Sequence, residues 1–126
     1  MLTWAVSCGI LCVKEMGAVP DVRYALEDLH FVWDSDKEAL NIKKHGLSFK
    51  TAAMVFLDAL RLDFPDRLHS TFNESRYFTI GLVSDVLTVV YCERGDINDP
   101  EYRLISAREA SPAERRAYND AVFGRR

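Results

Sequence analysis

No familiar cofactor or metal signature runs through this 126-residue sequence. A glycine-rich phosphate loop, an H-E-x-x-H pair and a G-x-S-x-G elbow are all missing, which sets aside P-loop, zinc-protease and serine-hydrolase chemistry. Cysteine is sparse and odd in number, with Cys8, Cys12 and Cys92, so no disulfide framework is expected and a reducing cytoplasm is the default. Cys8 and Cys12 have no second cysteine pair and no nearby histidine, which argues against a zinc site. The histidines are scattered at His30, His45 and His69. No apolar run approaches the ~20 residues of a membrane-spanning helix. Neither a metal nor any other cofactor is expected, and no membrane partner.

What is present fits one ordinary globular domain, with 48% hydrophobic and 28% charged residues. The net charge of −3 speaks against a nucleic-acid binder, but the distribution is uneven. From Arg103 onward six arginines face only Glu109, Glu114 and Asp120. A local basic patch can hold a phosphate chain under a negative total; a solvated helix face is the plainer reading.

Residues 1–29 read as an N-terminal extension: Leu2 to Val13 is apolar without a basic start and reads either as a short helix, broken by Ala18-Val19-Pro20, or as sequence ahead of a true start at Met16. Residues 30–126 carry the domain. His30 to Trp33 reads as a strand. Ser35-x-x-Glu38 is a capping-box pattern for a helix reaching His45 and stopping at Gly46. Ser48 caps a second helix, giving an αα-hairpin. Period-two strands follow at Leu60–Phe64, Arg76–Gly81, Val86–Cys92 and Tyr102–Ala107, with residues 94–101 as a polar loop. Ser111-Pro112-x-Glu114 opens a last helix. The expected order is β-α-α-β-β-β-β-α, an α+β domain with an antiparallel meander and helices on one face.

Chemistry rests on arginines at strand positions: Arg76, Arg94, Arg103 and Arg108. On one open sheet face they suit a polyanion, each able to make bidentate bonds to phosphate. The competing reading pairs them with Glu74, Glu93, Asp96 and Glu109 as surface ion pairs, each worth little. Tyr91, in phase with Leu87 and Val89, and Trp33 read as core, and His45 as a cation at a helix C-terminus.

The motifs together resemble the BrnT family of toxins. Those motifs are Phe31-Val-Trp-Asp34, Lys37, Asn41, Lys44-His45-Gly46, Phe49, Ala52 and Phe56-x-Asp58, then Arg76-x-x-x-Ile80-Gly81 and Val89-Val-Tyr91-x-Glu93-Arg94-Gly95. Arg103-x-Ile105-Ser-Ala-Arg108 and Ala110-Ser-Pro-x-Glu114-Arg115-x-x-Tyr118 complete the set. The resemblance implies a RelE-like fold with four to five strands, and a metal-independent endoribonuclease that blocks translation in the cytoplasm. It also implies a BrnA-type antitoxin, through which alone operator DNA is reached. A catalytically inactive module that serves only as antitoxin partner or co-repressor is the alternative. The implied chemistry is attack of the RNA 2′-OH on the adjacent phosphate. Arg76 and Arg108 would stabilise the transition-state charge, Arg94 and Arg103 hold flanking phosphates or share that work, and Glu93 or His69 act as base. Lys43, Lys44, His69, Tyr91 and Tyr118 are the expected substrate-binding residues. The acidic Asp96–Glu101 stretch is longer than the family pattern leads one to expect.

Overall fold

The computed structural model describes residues 21–70 and 74–124. The apolar N-terminal stretch, Cys8, Cys12 and Met16 lie outside the described residues. The elements run β1 (Asp21–Leu26), β2 (Leu29–Asp34), α1 (Ser35–His45), α2 (Phe49–Met54) with a 3-10 turn at Val55–Leu57, β3 (Leu62–Pro65), β4 (Arg76–Val83), β5 (Asp85–Asp96), β6 (Asp99–Glu109) and α3 (Pro112–Phe123). The domain is α+β, but its sheet has six strands, in the order β1-β2-β6-β5-β4-β3, where four to five were expected.

The extra strand is β1, inside the segment read as an extension. Val22, Tyr24 and Leu26 alternate inward with exposed Asp21, Arg23 and Ala25, the period-two pattern of a half-buried strand. Its turn to β2 uses Glu27 at φ 55 rather than a glycine, so the usual hairpin signal is absent. The sheet is also mixed rather than antiparallel throughout, because β2 runs parallel to β6 over His30–Val32 and Glu101–Arg103.

Helices cover both faces, not one. Phe31, Trp33, Leu87, Val89, Tyr91, Leu104 and Ala107 point to one side and pack with Phe49, Ala52, Ala53, Val55 and Phe56 from α2 and its 3-10 turn. Ile80 and Val86 point to the other side and pack with Tyr118 and Val122 of α3. Gly81 permits the close seat of the 3-10 turn on β4: a Cβ there would lie 2.7 Å from Val55 Cγ1.

Several local readings change in detail. The N-cap of α1 is Asp34, whose Oδ1 accepts from the Asp36 and Lys37 amides at 2.8 and 3.3 Å; Ser35 is already the first helical residue. Glu38, freed from capping, accepts from Trp33 Nε1 at 3.0 Å and the Phe49 amide at 2.9 Å, tying both helices to the core. Gly46, at φ 73, ends α1 as expected, and Ser111 with Glu114 forms a full capping box on α3. Residues 94–101 are not a loop. β5 and β6 continue through them to a tight turn where Asp96 Oδ1 accepts from the Asn98 and Asp99 amides.

One side chain holds α1 to the sheet. β2 gives up its pairing with β6 after Arg103, leaving the upper edge of β6 facing α1. Buried Asn41 takes the place of a strand there: its Oδ1 accepts from the Ala107 amide and its Nδ2 donates to the Ala107 carbonyl, both at 3.0 Å. The same Nδ2 donates to the Leu47 carbonyl at 3.0 Å. Asn41→Ala would strand buried backbone groups, and we expect a loss of ~2–3 kcal/mol in urea unfolding with the m-value unchanged.

Candidate active site

Cross-strand register decides which arginines meet. Arg23, Val32, Arg103, Cys92 and Arg76 are successive partners across β1, β2, β6, β5 and β4, so they form one row on the face that carries α3. The adjoining row holds Ala25, His30, Glu101 and Arg94 on the same face. α3 covers only the other half of this face, around Ile80, Val86 and Thr88. Arg76, Arg94 and Arg103 therefore share the half-face that, among the described residues, no helix covers. The buried Cys92 between them has its thiol pushed up by burial and by nearby Glu74, so it is not a ready nucleophile.

Arg108 is on this face but not in this group. It pairs with Thr88, four residues along β5 and two strands across from Arg76, roughly 16 Å away between backbones. Its guanidinium grips Glu114 in a two-point ion pair, Nη1 to Oε1 at 2.7 Å and Nη2 to Oε2 at 2.9 Å. Glu114 also accepts from Thr88 Oγ1 and the Ser111 amide. Arg108 first, then those two donors, hold the Glu114 carboxyl down at about 2. Arg108 itself is raised by the same bond.

The other arginines also meet carboxylates. Arg103 lies 3.2 Å from Asp21, Arg76 lies 3.5 Å from Glu74, and Arg23 lies 2.6 Å from Glu101. Of the four sequence-selected arginines, Arg94 alone has no ion pair among the described residues; it lines a cavity of roughly 450 Å³ with Glu74, Cys92 and Asp96. Ion pairing and a shared open face, the two competing readings, are thus both present.

The remaining expected residues do not join this face. Glu93 alternates to the opposite side, near Tyr91 and Tyr102, so it cannot serve as base beside Arg94 or Arg103 from there. Tyr91 is core; burial raises its hydroxyl, which donates to Asp63 at 3.4 Å. Tyr118 is buried against the sheet and pushed up to about 12, by burial and by the bond its hydroxyl donates to Asp58 Oδ2 at 2.5 Å. Neither tyrosine is free to contact RNA. His69 sits in the exposed turn after β3, 3.0 Å from Asp66. Lys43 and Lys44 are in the last turn of α1, and Lys44 lines a pocket against Ile105 and Ser106 of β6 rather than joining the row. His30, not among the expected residues, also falls on this face: Phe31 and Trp33 are the inward phase of β2 and their alternation turns His30 outward.

The fold and this face define a small α+β protein with an arginine-rich half-sheet. The family described as "Ribonuclease toxin, BrnT, of type II toxin-antitoxin system" matches residues 33–114, and the chain belongs to it. Its class is thus that of ribonuclease toxins whose partner is an antitoxin. The matched span holds all four arginines and Glu114, and leaves β1 and most of α3 outside. No curated protein matches the chain. Among the described residues, no helix is long and apolar enough to cross a membrane.

The Glu114 carboxyl, lowered from 4.5 to about 2 by folding, adds stability that is present above pH 4.5 and lost as pH falls through 2. Thermal melts from neutral pH down to that range should show this acid limb. Glu114→Gln should flatten it and cost roughly 1.5–3 kcal/mol at neutral pH, the scale of a charge-assisted bond.

Proposed function

We propose that this toxin cleaves RNA without a metal, on the half-face that carries Arg76, Arg94 and Arg103. The 2′-oxygen attacks the adjacent phosphorus and gives its proton to a base; the bond from phosphorus to the 5′-oxygen breaks, and that oxygen takes up a proton. The products are a 2′,3′-cyclic phosphate and a 5′-hydroxyl. Guanidinium groups stabilise the charge that builds on the non-bridging oxygens and substitute for a metal in that role. They stay protonated, so they do not carry the proton. His30 and Glu101, in the adjoining row, are the titratable groups placed to do so. Arg108, held by Glu114, orients the start of α3 beside the site.

The observation that carries this reading is the single cross-sheet row joining Arg76 to Arg103, with Arg94 one row away. Family membership supplies the activity class. RelE-like architecture, a BrnA-type antitoxin that covers this face and alone contacts operator DNA, and a cytoplasmic site of action belong to the same proposal. Acidic antitoxin groups laid over the row would both neutralise and block it. A catalytically silent module is favoured by one observation: Arg76, Arg103 and Arg108 already face carboxylates.

RNA cleavage by the purified protein separates the two. Arg76→Ala with Arg103→Ala should lower cleavage about 10²-fold or more and abolish growth arrest on expression. Arg116→Ala, on the exposed side of α3, should keep both. Chelation by EDTA should leave wild-type cleavage unchanged. A protein that binds its antitoxin but never cuts RNA, with or without added magnesium, would overturn the reading.

A further inference from the structure

Arg94 is not alone among the described residues in lacking a carboxylate partner; other basic side chains without one lie elsewhere. Lys37, Lys44 and His45 line a small pocket of roughly 210 Å³ between α1 and β6, together with Leu40, Ile105 and Ser106. Among the described residues none of these three side chains has an ion pair, in contrast to Arg76, Arg103 and Arg108. Lys44 and His45 sit in the last turn of α1, where the helix dipole favours the positive charge of Lys44.

The pocket has a structural cause. β6 is bulged here: Val90 pairs with Ser106 but Tyr91 pairs with Leu104, so Ile105 is an extra residue. The bulge bends the strand beyond the point where β2 stops pairing, and Asn41 fixes the opposite wall through its two bonds to Ala107. Ser106, on the floor, brings a hydroxyl donor with no partner among the described residues.

From this geometry we infer that the α1–β6 pocket is a second phosphate-binding subsite for the RNA strand, formed by Lys37, Lys44, His45 and Ser106. A polyanion gains most where cations are not already paired, because it need not displace a bound carboxylate. The space takes a phosphate and its sugar rather than an acidic helix. It also lies beside the arginine row, since Ser106 is on the same strand and face as Arg103; with Ile105 bulged out, their partners Val90 and Cys92 are two residues apart, roughly 7 Å. The inference rests on the ribonuclease reading for the identity of the polyanion, but not for its location. Lys43, one residue before Lys44, is not part of the lining.

Binding can be read apart from cleavage with a short fluorescein-labelled 2′-O-methyl RNA, which has no free 2′-hydroxyl to attack. Anisotropy titrations over rising salt would compare the full-length protein with Lys37→Ala/Lys44→Ala, His45→Gln and, as control, Lys50→Ala on exposed α2 surface. The double variant should bind about ten-fold more weakly and its salt slope should fall by roughly 0.7 for each phosphate no longer neutralised, with an unchanged melting temperature. His45→Gln should weaken binding less, and Lys50→Ala not at all. Unchanged binding in the double variant overturns the subsite even if the arginine variants abolish cleavage. Weakened binding in a protein that never cleaves RNA upholds the subsite and fails the ribonuclease reading. Weaker antitoxin binding with unchanged RNA binding would make the pocket a protein-docking site and also overturn it.

Discussion

A single carboxylate, Asp58, ties the two helical layers to the sheet between them. It follows the 3-10 turn on one face, accepts from the Leu82 amide in β4 at 2.9 Å, and accepts from Tyr118 of α3, which packs on the other face. It also closes its own turn by accepting from the Leu60 amide. Burial alone would raise this carboxyl; the bonds from Tyr118, Leu82 and Leu60 overcome that and lower it. Where α3 sits decides which half of its sheet face stays open, so the arginine row owes its access to this attachment and to the Arg108–Glu114 clamp at the start of the helix.

The charged surface then divides into two kinds. On the half-face, guanidinium groups stand beside carboxylates at 2.6 to 3.5 Å, partly exposed, where such pairs contribute little to stability and exchange partners readily. That arrangement keeps a dense cationic row from repelling itself, and a phosphate that enters must compete with Asp21, Glu74 and Glu101. Along α1 the cations stand alone over a bulged strand. Pre-paired guanidinium suits groups held in place until a substrate arrives; unpaired ammonium suits long-range attraction of a polyanion.

Most of the motif residues that mark the family turn out to build the scaffold. Asn41 substitutes for a missing strand, Asp58 joins layers, Gly81 admits Val55, Gly46 ends α1, and Glu114 caps α3 while gripping Arg108. Asn41, Asp58 and Glu114 act through hydrogen bonds away from bulk solvent, where an unpaired group costs more than a surface change, and the two glycines through the space or backbone angle they allow. A motif of this kind identifies the fold and only through it the site.

Local chemistry was legible from the residues alone: both helices of the hairpin, the Gly46 stop, the Ser111 box, the β-branched run of β5 and the core phase of Tyr91 and Trp33 depend on near neighbours and periodicity. β1 was hidden because its short alternation precedes a turn with no glycine or asparagine, and the Asp34 cap because Ser35 and Glu38 imitate the same pattern one residue later. Which arginines meet, and that Glu93 turns away from them, depended on strand order, on the parallel β2–β6 pairing and on the Ile105 bulge. Those are pairings between residues far apart in the chain, and a one-residue change of register moves a side chain to the opposite face. The sequence by itself determined most of the elements and the family; tertiary structure decided the neighbours, because long-range register carries no local signal.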